Sequence, residues 1–282
     1  SSTQGEREER LMGAKPAPNS PSGGPSASGP ITTASGVCCW CEDYQGEISV
    51  NASNRYSRRI VDGKAEGGGR QRRYLLQVLL KSRRIRVVMR YKVVGFGSTA
   101  AEHIQLAERE LVSGVESWNG KITIEIDDPE CGKQQLPVEF EAPLVSSGQH
   151  YTVELFQTVP SSLDSGRPHV TGDFKMRVDW ATRAWTFSHE HGHCFGLPDE
   201  YGYSNEAAEQ IVYIRPDGGS DPPIDIDALG TAGSGPDVTI MSTHSQHRRR
   251  VRHGYCIAIE VQQLLTRRLG RTIRCKVVRP PT

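Results

Sequence analysis

Apolar and charged residues alternate through "RIRVVMRYKVVGF" (84–96), the period-two pattern of a half-buried strand, and its β-branched and aromatic content agrees. "STAAEHIQLAERELVSGVESW" (98–118) follows, with Ser98 placed as an N-cap and Ile104, Leu106, Leu111, Val112 and Val115 near helical spacing. "KITIEI" (121–126), "YTVELFQTV" (151–159) and "FKMRVDW" (174–180) return to the strand pattern, and "GYCIAIEVQQLLTRR" (254–268) is helical again. Strand, helix, several strands and helix in that order predict an α+β fold. Its mixed twisted sheet is backed by one helix, and a further helix packs against it.

The flanking segments read differently. Residues 13–36, "GAKPAPNSPSGGPSASGPITTASG", hold almost nothing apolar, so residues 1–36 are expected to be a flexible tether. Residues 37–83 are expected to be a basic, cysteine-containing extension, and residues 84–282 the main domain. Across 55–92 the only acids are Asp62 and Glu66. A solvated strand face is preferred there to a docking surface, because charged and apolar residues alternate.

Overall charge excludes one class of partner. With 34 basic and 33 acidic residues and a formal net charge of +1, the chain is not a polycation built for nucleic acid. No apolar run approaches the ~18–20 residues of a membrane helix. The first residues, "SSTQGEREER", carry neither an initiator Met nor the apolar stretch of a secretory leader, and are read as a boundary within a longer chain. "CCWC" groups Cys38, Cys39 and Cys41 ahead of Cys131, Cys194, Cys256 and Cys275. With no second Cys-x-x-Cys, disulfides from the cluster to later cysteines are favoured over a zinc half-site if the protein works outside the cytoplasm.

The densest chemistry lies in "FSHEHGHCFGLPDEYGYS" (187–204). His189 and His193, four apart, stack on one face of a helix and can grip one ion, with Glu190 turned to reach a water on it. Neutral imidazoles suit zinc, whose tetrahedron then leaves room for one more protein ligand and a water. Gly196 permits a positive φ that ends the helix, and Pro198 blocks its continuation. The returning chain delivers Asp199 as third ligand, with Glu200 as its rival. Gly192 costs about 1 kcal/mol relative to Ala inside the helix and implies close packing. His191 points away from the ligand face, as a supporting or surface residue.

"HEHGHCFGLPD" fits HExxHxxGxxD and resembles the metzincin clan of zinc metallopeptidases; "GLPDEY" is similar to its snapalysin branch. The resemblance covers roughly residues 84–270, with Met241 in "VTIMSTHS" standing where metzincins carry a Met-containing turn beneath the metal. It implies one zinc per chain on His189, His193 and Asp199, with Glu190 as the base in peptide-bond hydrolysis. Gly196 and Met241 support the site. Some metzincins place a tyrosine two residues after the Met; here that position is Thr243, so His244, Tyr201 and Tyr255 are candidates for the transition-state donor. The expected substrate is a protein or peptide paired with an edge strand between residues 136 and 173. Alternatives are a metallo-amidase acting on cell-wall peptide as a secreted antibacterial effector, and a non-catalytic zinc-stabilised module. The tether resembles those joining toxin cargo to a carrier or secretion-spike protein, which implies work outside the producing cytoplasm. The arginines of "HSQHRRRVRHGY" (244–255) are read as a solvated turn or as partners for "DPPIDID" (221–227).

Overall fold

The computed structural model describes residues 31–32, 36, 38–163, 166–203, 207–226, 238–242 and 248–278, the first two by backbone alone. Most of the expected tether, together with Thr243 and His244, lies outside the described residues. The chain opens with β1 (Ile31–Thr32), β2 (Cys38–Cys39), β3 (Tyr44–Asn51), β4 (Ser57–Val61), β5 (Lys64–Ala65), β6 (Gln71–Leu79), β7 (Arg84–Val88) and β8 (Tyr91–Gly95). Helix α1 (Ala101–Glu116) precedes β9 (Thr123–Asp128), β10 (Gly132–Glu141), β11 (Tyr151–Phe156), β12 (His169–Val170) and β13 (Lys175–Asp179). Helix α2 (Ala184–Cys194), β14 (Glu209–Tyr213), β15 (Ile224–Ile226), α3 (Tyr255–Leu269) and β16 (Arg274–Val278) complete the order.

The fold is mixed α+β. One sheet runs β16-β9-β10-β7-β6-β3, a second β12-β13-β11-β8, and a third β15-β14-β4-β5, while β1 pairs with β2. The stretch expected as one strand over 84–96 is divided between the first two sheets. At the break, His150 meets Arg90: the Arg90 amide donates to His150 Nδ1 at 3.1 Å, and the Arg90 carbonyl accepts from the amides of His150 and Tyr151 at 2.8 and 3.1 Å. The strand thereby leaves β10 and takes β11 as its parallel neighbour.

Residues 37–83 are woven into this frame. β6 and β7, on either side of the expected 83/84 boundary, are antiparallel neighbours in one sheet. β4 pairs with β14, and Ile48, Tyr56, Tyr74 and Leu76 share one continuous core with Trp118, Phe187, Met241 and Leu265. The Cys39–Cys131 disulfide ties the start of the described chain to the β9–β10 turn, and Cys38–Cys41 closes a local loop beside it. Cys194, Cys256 and Cys275 are free and buried.

α1 begins later than expected. Ser98 lies in the turn before it, and Ala100 occupies the cap position without a side-chain bond. The Thr99 hydroxyl instead donates to the Phe96 carbonyl at 2.6 Å. The buried stripe Ala107, Leu111, Gly114 and Val115 faces α2. A Cβ on Gly114 would lie 2.5 Å from the Ala184 carbonyl oxygen, so this glycine sets how closely the helices approach. No helix among the described residues is long and apolar enough to cross a membrane.

Candidate metal centre

From Thr186 to Cys194, α2 is buried on every side. Its N-terminal half is held from outside: Trp118 Nε1 donates to the Ser188 carbonyl at 2.9 Å, and Arg249 Nη2 to the Ser188 hydroxyl at 2.7 Å. At its far end the Tyr151 hydroxyl donates to the Cys194 carbonyl at 2.9 Å. Met241 lies under the middle of the helix. A Cβ on Gly192 would come 2.6 Å from Met241 Sδ and 3.4 Å from the Trp118 ring, so this glycine admits the methionine. Gly196 turns the chain with φ +116°, and a Cβ there would strike the Tyr56 ring at 2.5 Å. A side chain at Gly196 would therefore be both conformationally strained and sterically opposed.

The turn brings Asp199 back over the helix. His189 Nε2, His193 Nε2 and Asp199 Oδ1 are each 3.1 Å from the other two, forming a buried group that can hold a metal ion. The tautomers follow from the opposite ring edges. His189 Nδ1 donates to the Ile240 carbonyl and His193 Nδ1 to the Leu197 carbonyl, both at 2.8 Å. Rings so fixed direct two Nε2 atoms and a carboxylate oxygen at one another, and one proton can bridge only one of those three contacts. A cation relieves all three. Their spacing is close to the roughly 3.3 Å edge of a tetrahedron with bonds of about 2.0–2.1 Å, so the donors fit zinc.

Asp199 is fixed from behind. Tyr203 donates its hydroxyl to Asp199 Oδ2 at 2.5 Å. Arg59, buried, sends Nη2 to the Asp199 and Tyr201 carbonyls at 3.0 and 3.1 Å, and pairs with Glu209. Burial opposes the Asp199 charge, but the adjacent His193 and His189 outweigh it and hold the carboxyl well below the usual range. The solvated face expected over 55–92 therefore needs correction. Arg59 and Arg72 are buried because backbone carbonyls receive their guanidiniums.

Glu200 turns the other way. It accepts from the Tyr213 hydroxyl at 2.7 Å, the Thr239 hydroxyl at 2.5 Å and Arg252 Nε at 2.8 Å, with His253 Nε2 at 3.2 Å. Its amide donates to the Met241 carbonyl at 2.8 Å, and the Ser242 amide closes the Met241 turn onto the Thr239 carbonyl at 3.1 Å. Arg252 thus serves Glu200 rather than the acids of 221–227.

A cavity of about 540 Å³ opens over the trio, lined by Glu190, His193, Asp199, Tyr201 and Tyr203 together with Arg70, Arg72 and Arg167. β12, the antiparallel edge of its sheet, forms one wall through His169 and Val170 and falls within the interval expected for an edge strand. Of the candidate donors, Tyr201 lines this cavity and His244 lies outside the described residues. Tyr255 is corrected: as the first residue of α3 it lines a different cavity with Arg215 and Gln262, its hydroxyl pushed up to about 12 by burial and Asp221. Tyr203 was missed, although a phenol four residues past Asp199 is visible in "DEYGY". Burial and the Asp199 charge raise Tyr201 and Tyr203 above the ordinary tyrosine range, so both stay protonated donors at neutral pH.

His191 is no surface residue. It is fully buried against Phe140 and Phe195, its Nδ1 lies 2.8 Å from the Tyr91 hydroxyl, and burial pushes it down to about 3. With the folded value depressed, neutral His191 contributes stability above the ordinary imidazole value of about 6.5, and loses it as pH falls from there. Replacing His191 with Leu is expected to flatten the stability–pH curve between about pH 6.5 and 4, by up to ~1.4 kcal/mol per unit. Denaturant midpoints of both proteins across that range check this; parallel curves would reject it.

No protein-family profile, curated protein or solved structure matches this chain.

Proposed function

We propose that the chain is a zinc-dependent endopeptidase of metzincin type. The observation that carries the reading is the mutual 3.1 Å spacing of His189 Nε2, His193 Nε2 and Asp199 Oδ1, at the floor of an open cavity also lined by Glu190. A structural zinc site closes with four protein ligands, whereas three ligands facing a cavity leave a coordination position for chemistry. Met241 beneath α2, the positive φ at Gly196 and the antiparallel edge strand β12 beside the cavity support the metzincin reading of the fold.

His189, His193 and Asp199 would hold the ion, which when bound supplies a Lewis acid that acidifies water and polarises a carbonyl. The remaining work belongs to the chain. Glu190 accepts the proton of the attacking water and delivers it to the leaving amine. Tyr201, protonated on the cavity wall, is the phenol available to donate to the developing oxyanion, while Tyr203 spends its proton on Asp199 Oδ2. β12, the end strand of its sheet among the described residues, offers its outer edge to an extended peptide, which orients the scissile bond by backbone hydrogen bonds. The two disulfides support work outside a reducing cytoplasm, as a secreted or delivered protein.

Elemental analysis of freshly purified protein is expected to find one zinc per chain. A broad peptide library should be cleaved, and that cleavage lost on chelation. Protein with no stoichiometric transition metal would overturn the proposal.

A further inference from the structure

Three arginines share the cavity with the catalytic glutamate. Arg70 and Arg72 enter from the start of β6, and Arg167 from the approach to β12. Among the described residues, the only carboxylates in the lining are Glu190 and Asp199, both assigned to the centre itself. No ion pair engages Arg70, Arg72 or Arg167 among the described residues; arginines on other strands are paired, Arg59 of β4 with Glu209 and Arg86 of β7 with Glu141. Arg72 is 3% exposed, and its Nη1 donates only to carbonyls, of Gln71 at 2.9 Å and Thr171 at 3.2 Å. Its Nε has no hydrogen-bond partner among the described residues. A guanidinium keeps its charge at any working pH, so among the described residues this wall carries positive charge that no acid outside the centre offsets, in a confined space where it acts strongly.

The positions of these charges are fixed by the fold. The Arg72 bond to Thr171 pins the segment that follows β12. The loop ahead of Arg70 touches the same segment, so that a Cβ on Gly172 would stand 3.1 Å from the Gly69 carbonyl oxygen. Arg70 and Arg167 are each partly exposed. The arginines thus line the same cavity as β12, the end strand of its sheet.

We infer that the peptidase, on the reading proposed above, selects peptides with Asp or Glu side chains flanking the scissile bond, held by Arg70 and Arg167 within the field of Arg72. A strand edge takes an extended peptide, and the carboxylate is the anion a peptide side chain offers to a guanidinium fork. Discrimination then arises because an isosteric amide leaves the guanidiniums without a charged partner.

The test uses the full chain and peptide pairs identical except for Asp/Glu against Asn/Gln beside the cleaved bond, all C-terminally amidated. The expected kcat/KM ratio is at least about tenfold in favour of the acidic peptide, the lower end for a hydrogen bond to a charged group. Dye-labelled versions of the same peptides, followed by anisotropy on the zinc-loaded protein with Glu190→Gln, should bind with the same preference without turnover. The double variant Arg70→Gln/Arg167→Gln should bring both ratios close to one. Arg72, which pins backbone, is left intact so that folding is preserved. Cleavage with no preference for acids overturns this inference and leaves the peptidase reading standing. Arginine-dependent binding of acidic peptides by a protein that cleaves nothing overturns the peptidase reading and leaves the anion site. A preference seen only with free C-termini assigns the arginines to a terminal carboxylate and overturns the side-chain assignment.

Discussion

Replacing Glu190 with Gln is expected to lower kcat by about 10²–10⁴-fold on every peptide the protein cleaves, with one zinc per chain still in place. The side chain is 2% exposed and lines the cavity beside His193 and Asp199, yet it does not belong to the trio of converging donor atoms. Gln keeps the shape and volume of Glu, so α2 keeps its packing against Met241 and Trp118, but it cannot accept a proton. The loss should fall on kcat rather than KM, because proton transfer is made in the transition state and not in the bound ground state. Zinc content and melting temperature, measured beside the kinetics, separate this outcome from unfolding. A variant that keeps most of its turnover would remove Glu190 from the mechanism. One that loses zinc and activity together would make Glu190 a ligand.

The convergence of His189, His193 and Asp199 was legible because it is local. His189 and His193 share a helix face by spacing alone, and Gly196 and Pro198 announce the bend that returns Asp199. Strand pairing was not legible, since it is decided by partners distant in sequence. Val138–Glu141 pair in parallel with Ile85–Val88, and no local pattern states this. The same distance hid Arg59 and Arg72. In sequence they are two more cations in a basic run; their burial depends on carbonyls at Asp199, Tyr201 and Thr171 that only the fold brings near. Alternation assigned the chain of β4 and β6 correctly to strands and wrongly assumed that each charge on them was solvated. Residues 37–83 looked like an extension because their basic character masks Ile48, Tyr56 and Tyr74, which lie in the common core. Even Gly196 is accounted for only halfway by its bend, because the Tyr56 ring that crowds it comes from that earlier segment.

Asp199→Ala and Glu200→Ala are expected to fail in opposite ways, although the two acids are adjacent and both buried. Asp199 supplies Oδ1 to the trio and Oδ2 to Tyr203, so its removal takes away one of three donors and strands the phenol. Zinc affinity should fall by at least the ~10–100-fold typical of disturbing a residue that merely supports a ligand. Folding of the metal-free protein should change far less, because Arg59 holds this stretch through backbone carbonyls that an alanine retains. Glu200 faces Tyr213, Thr239, Arg252 and His253. Burial opposes its charge, yet His253 and Arg252 outweigh burial and hold the carboxyl well below the usual range. With the folded value depressed, its contribution is fully present above the ordinary glutamate value and is lost only as pH falls through the folded one. At neutral pH, Glu200→Ala leaves Arg252 and His253 without their acid and should cost about 3–5 kcal/mol, the range for breaking a buried pair from one side. A melting temperature lower by roughly 6–20 °C follows for a domain of this size. At a temperature where this variant is folded, its zinc affinity should stay within a few-fold of wild type. Chelator competition and thermal melts on both variants read the two effects separately. If Glu200→Ala lost its zinc while melting like wild type, Asp199 would no longer stand as the third ligand, and the resemblance to the aspartate-type metzincins would go with it.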